Sequence, residues 1–125
     1  VEVESAALAA DRADAQMVRS MFSACEAMAR AETTADIAAW DMEFHRLVAE
    51  ATRNEIIIKV FDVLRPTYQA LLEGNVRQLG ALGAAAHRRI TEAIELRRPD
   101  KARQAMLGHL NDTALHMHDT PEEQP

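Results

Sequence analysis

Strand-forming material is almost missing from this chain. Apart from Ile56-Ile57-Ile58, no stretch gathers the β-branched and aromatic residues that pleated sheets favour, and aromatics make up only 4% of 125 residues. Cysteine is as scarce: Cys25 stands alone, which excludes an internal disulfide and fits a reducing compartment. No apolar run approaches the roughly 20 residues a membrane-spanning helix needs, and no signal peptide is visible. An excess of positive charge is missing too. Fourteen Lys and Arg against 20 Asp and Glu leave a net charge of -6, which argues against contact with nucleic-acid phosphates by this stretch itself. A soluble cytoplasmic domain is the expectation that survives these exclusions.

What is present is helix-forming. Hydrophobic residues reach 48%, and Ala, Leu, Met, Glu and Arg dominate, in a chain long enough for one domain with a real core. Val1 to Ala10 reads as helix with no start signal and no initiating Met, so the chain is expected to begin inside a larger protein. Asp14 caps a second helix to Ala31, with Met17, Val18, Met21, Phe22, Cys25 and Met28 at helical spacing. Thr33 or Thr34 caps a third, running to about Arg53. Asn54 marks a break before a long helix with a kink expected at Pro66. Gly74, Gly80 and Gly83 suggest a looser connection, followed by a helix from Ala84 to Arg98. Pro99 then opens a last helix to about Met117. The spacing predicts an all-α antiparallel bundle of six or seven helices over residues 1–118, with a flexible tail at 119–125.

Chemistry concentrates in a few positions. Asp41 and His45 lie four apart in one helix, so both side chains project from one face a turn apart, as a chelating pair requires. They border an apolar arc of Trp40, Phe44, Leu47, Val48 and Ala51. His87 shares a face with Ile90 and Ile94, and His109 sits with Ala102, Ala105, Met106 and Thr113. One carboxylate and three imidazoles buried together are costly unless something holds them, and a divalent metal would do so. Imidazoles suit Zn, Ni, Fe or Cu, and the carboxylate widens the choice to Mn and Co. Spacing alone leaves other readings open. Each His also fits a hydrogen-bonded core residue, and His116 lies on nearly the same face as His109. The Met17, Met21, Met28 stripe with Cys25 reads as core filling, and Arg88-Arg89 and Arg97-Arg98 read as solvated helix faces.

The string Asp41-Met-Glu-Phe44-His45-Arg-Leu47-Val-Ala49, followed by Asn54, resembles the D-x-x-F-H-x-x-L-x-x-A segment of the FCD domain. That domain is the C-terminal effector-binding part of FadR-subfamily GntR transcription regulators. A second block, His87-Arg-Arg-Ile90-Thr-Glu-Ala93-Ile94, then Asp100, Ala102, Ala105, Met106 and His109-Leu110, is similar to the family's H-x-x-I-x-x-A-I … D-x-x-x-A … M-x-x-H-L pattern. Glu2 and Leu8-Ala9-Ala10 are similar to its first-helix signature. The resemblance implies a divalent metal, with Zn, Ni or Mn favoured, on Asp41, His45, His87 and His109, and it favours His109 over His116. It implies ligand sensing rather than catalysis, with a small carboxylate as effector; in this chain Arg65 and Tyr68, after Asn54, are candidate contacts, and Arg65 fits equally a surface residue near the kink at Pro66. It also implies a homodimer without membrane attachment, contacting DNA only through a winged helix-turn-helix N-terminal to this chain. Two other classes fit the residues: a helical metal-dependent enzyme acting on a small organic acid, and a metal-free helical interaction module. The enzyme has no clear general base, because helical phase points Glu43 and Glu92 away from the site.

Overall fold

The computed structural model describes the backbone of residues 1–75 and 80–118, and the side chains of 1–70 and 82–112. The expected tail at 119–125 and the side chains of Thr113, His116 and His118 lie outside the described residues. Six helices account for the described fold: α1 (Glu2–Arg12), α2 (Ala15–Arg30), α3 (Thr34–Ala51), α4 (Glu55–Asn75), α5 (Gly80–Glu95) and α6 (Pro99–His118). The all-α expectation holds.

Local chemistry sets most of the boundaries. The Asp14 carboxylate accepts from the backbone N–H of Met17 at 2.8 Å, and the Thr33 hydroxyl accepts from that of Asp36 at 3.1 Å. Each satisfies one of the orphan donors at a helix start. Asn54 does the same for α4, accepting from Ile56 and Ile57. Pro99 opens α6, where its missing N–H costs nothing. Pro66 does not interrupt α4, which continues through it. Pro66 is exposed, and its missing N–H leaves the Asp62 carbonyl without its helical donor.

Packing accounts for four differences from the sequence reading. Gly80 and Gly83 belong to α5 rather than to a loose connection. A Cβ on Gly83 would lie 2.8 Å from the Met28 methyl, so any larger residue there requires that flexible side chain to move. Trp40, expected on the apolar arc of α3, is 39% exposed, while Phe44, Val48 and Ala51 are buried. The first helix extends past Ala10 to Arg12. Finally, Arg97 is no passive surface charge. Its backbone turns left-handed (φ 55°), ending the preceding helix early, and its guanidinium donates to the carbonyls of Ala10, Asp11 and Ala13 at 3.5, 3.3 and 2.9 Å.

The main core joins Ala6, Ala9, Ala10 and Ala13 of α1 and its C-terminal corner to Met21, Cys25, Phe44, Val48, Ile90, Ile94 and Met106. Small side chains along α1 let it approach α3, α5 and α6, and it packs against all three. Those three helices carry the four candidate ligands.

Candidate metal centre

Asp41 and His45 project from one face of α3, His87 from α5 and His109 from α6. Asp41, His45, His87 and His109 each present one donor atom, and these atoms lie within 4.8 Å of one another. The Asp41 Oδ1 stands 3.2 Å from both His45 Nε2 and His87 Nε2, and His87 Nε2 stands 3.2 Å from His109 Nε2. Donors bound about 2.1 Å from a shared ion stand about 3.0–3.4 Å apart in adjacent positions. The spacing therefore fits a common divalent ion.

Alignment makes the same point. Asp41 Oδ1 and His45 Nε2 are fully buried and have no hydrogen-bond partner among the described residues, although they are close neighbours. Such orphaned polar atoms are costly in a dry core. Here they stand close without pairing, and a cation shared among the four donors would satisfy them.

Electrostatics prepare two of the imidazoles as ligands. Burial pushes the His109 pKa down to about 3, and repulsion from His87 and His45 adds to the effect. Burial also lowers His87, with Asp41 offsetting only part of the shift. Both rings are thus neutral at physiological pH, the form that binds metal. For His45 burial acts downward, but Glu2 and Asp41 outweigh it and hold the ring well above its ordinary value. Burial likewise opposes ionisation of Asp41, yet contacts with His45 and His87 keep its carboxyl well below the usual range.

The surroundings fix the rings in place. His87 stacks on Phe44, and its backbone carbonyl accepts from the Thr91 hydroxyl at 2.8 Å. Tyr68 of α4 lies beside the cluster, its ring centroid 5.7 Å from that of His45. It lines a cavity of about 80 Å³ with Val1, Glu2, Ala49, Ile57, Phe61 and Leu64 among its neighbours. Arg65 is half-buried on the same helix and is not among the described residues lining that cavity. Its charge helps Arg46, the larger influence, to lower the Glu43 carboxyl. Glu43 pairs with Arg46 at 2.7 Å, and Glu92 is exposed, so neither stands beside the cluster as a base.

One participant went unread as such in the sequence. Glu2 of α1 brings its Oε2 to 2.6 Å from His45 Nδ1. A signal existed: Glu2 precedes Ala6, Ala9 and Ala13 at helical spacing, and all three are buried, so a carboxylate continues an apolar stripe.

The FCD domain family matches residues 1–112. The chain belongs to this family, whose domains are regulatory and bind effectors rather than catalyse reactions. No curated protein matches the chain. Among the described residues no helix is long and apolar enough to cross a membrane.

Proposed function

We propose that this chain is the sensing domain of a GntR-type transcription regulator of the FadR subfamily. In this reading Asp41, His45, His87 and His109 hold one divalent metal, with Zn, Ni or Mn best suited to three imidazoles and a carboxylate. The observation that carries it is the convergence of four donor atoms within 4.8 Å in a buried site. Four protein ligands leave positions open on a five- or six-coordinate ion, and a small carboxylate effector occupies them. Tyr68 offers its hydroxyl to that acid from the adjoining cavity, and Arg65, three residues earlier on α4 and outside the cavity lining, adds positive charge only at longer range.

The effector acts by binding two arrangements of the helices with different affinity, which shifts their populations. DNA is read by an N-terminal winged helix-turn-helix outside this sequence, in keeping with the net charge of -6 here. The regulator works in the cytoplasm as a homodimer. Support for the dimer comes from α4, where Ile56, Val60, Val63 and Leu64 are exposed around Lys59 at helical spacing.

Metal analysis tests the proposal. Purified protein is expected to hold about one ion per chain, because the four donors share a single centre. His87→Ala and His109→Ala are each expected to lose it. Unchanged metal content in both variants sinks the site. A thermal-shift screen of the metal-loaded protein against mono-, di- and tricarboxylates is expected to show stabilisation without turnover. Turnover of any of them moves the reading to an enzyme.

A further inference from the structure

Glu2 stands outside the four converging donors but touches one of them from behind. Its Oε2 lies 2.6 Å from His45 Nδ1, while the Nε2 on the far side of that ring faces Asp41 at 3.2 Å. We propose that Glu2 is a positioning residue for the metal centre, holding the His45 proton on Nδ1 so that the Nε2 lone pair is turned toward the ion. The inference rests on reading the cluster as a metal site.

Three observations converge on it. His45 is 1% exposed, so solvent does not compete for the ring nitrogen that Glu2 reaches. Glu2 Oε2 is itself buried and has no aligned hydrogen-bond partner among the described residues, and it stands 2.6 Å from His45 Nδ1. A separation of 2.6 Å lies at the short edge of charge-assisted N–H···O contacts, close enough for a His45 Nδ1–H to donate to an aligned Glu2 carboxylate. Glu2 is also placed rather than free, because the stripe Ala6, Ala9 and Ala13 below it is buried along α1. Charge completes the argument: Asp41 and Glu2 together carry two negative charges, which balance a divalent ion beside three neutral imidazoles. A carboxylate behind a ligating His fixes its tautomer and raises its basicity.

His87 is held differently. Its ring is stacked on Phe44, and its Nδ1 has no hydrogen-bond partner among the described residues. The role assigned to Glu2 is therefore specific to His45, and it ties the first turn of α1 to occupancy of the site.

The test uses the full chain and Zn²⁺ alone, titrated against a chromogenic chelator. Glu2→Gln is expected to weaken Zn²⁺ binding about 10- to 100-fold, with Glu2→Asp falling between it and the parent. Glu4→Gln removes the same charge from the same helix, at an exposed residue paired with Arg103, and is expected to bind like the parent. In the Zn²⁺-loaded parent the His45 Nδ1–H gives a slowly exchanging ring resonance by NMR, absent in Glu2→Gln. If Glu2→Gln does not fold without metal, the parent resonance and the Glu2→Asp affinity decide the matter. Affinity in Glu2→Gln within about twofold of the parent, or an equal loss in Glu4→Gln, overturns the role of Glu2. Absence of Zn²⁺ binding by the parent overturns the metal reading itself, and this inference with it.

Discussion

His87 lies flat against Phe44, with ring centroids 4.1 Å apart and planes 8° from parallel. Both side chains are fully buried, and they come from α5 and α3. The stack does two things at once: it fills the core and it sets the angle at which an imidazole faces the cluster. These roles separate experimentally. Phe44→Ala is expected to cost about 3–5 kcal/mol of stability, as a large buried ring does. Phe44→Leu keeps most of the apolar volume and is expected to cost under about 1.5 kcal/mol. Its Zn²⁺ affinity is nevertheless expected to fall, because the flat support for His87 is gone. Urea unfolding and chelator competition measure the two effects, and unchanged affinity in Phe44→Leu would remove the stack from the site.

Stability of the metal-free protein is expected to peak near pH 6.5. In the native state His45 keeps its proton, because its pKa is raised, while His87 and His109 remain neutral, because theirs are lowered. As pH falls below about 6.5 the unfolded chain protonates all three rings, whereas the native state resists protonation of His87 and His109. The unfolded state then binds more protons, so stability falls with falling pH, by up to roughly 1.4 kcal/mol per pH unit for each proton. Above pH 6.5 the sign reverses: the native state holds one proton that the unfolded chain has lost, and stability falls as pH rises toward the raised pKa of His45. Urea midpoints at pH 5.0, 6.5 and 8.0 in the presence of a chelator check both limbs. A steady rise through pH 8.0 contradicts a protonated His45.

Arg97 joins the start of the α5–α6 turn to the end of α1 through three backbone carbonyls. It does so from a left-handed backbone, which costs a non-glycine residue about 1–2 kcal/mol. Arg97→Ala keeps that cost and removes the clamp, so it is expected to destabilise by about 1–3 kcal/mol. Arg97→Gly removes both, and it is expected to be the more stable variant by about 1 kcal/mol. Denaturant unfolding of the pair distinguishes clamp from strain, and equal stabilities would leave the strain without effect.

The exposed row Ile56, Val60, Val63 and Leu64 on α4 gives the proposed dimer a direct test. Val63 is 76% exposed in the single chain, so Val63→Glu is expected to leave the fold intact. In a dimer that buries this row the same charge is costly. Light scattering after gel filtration is expected to show a dimer for the parent and a monomer for Val63→Glu. A dimer that persists in the variant places the interface elsewhere.

The FCD assignment was legible in the sequence because its motif residues lie within two short segments, and so were the helices and their caps. Asp14 and Thr33 cap as their residue types dictate, and Pro99 starts α6. The pairing of Asp41 with His45 was also a local matter, because four residues make one turn of a single helix. Those properties follow from backbone hydrogen bonds and side chains a few positions apart, which each segment of sequence carries within itself.

Other features had no local cause. Spacing could place His87 and His109 on apolar faces, but only the crossing of α3, α5 and α6 puts their nitrogens beside Asp41. Gly83 read as a breaker until the Met28 methyl occupied the space beside it, and Trp40 read as core until packing of its neighbours left it exposed. Arg97 looked like a surface charge, yet its partners lie more than 80 positions away in α1 and its C-terminal corner. Glu2 reached His45 by the same kind of contact, across 43 positions of sequence. The sequence by itself determined which stretches are helices and which side chains share a face. Which face meets which neighbour depends on burial of apolar area summed over the whole chain, and that only the tertiary structure decided.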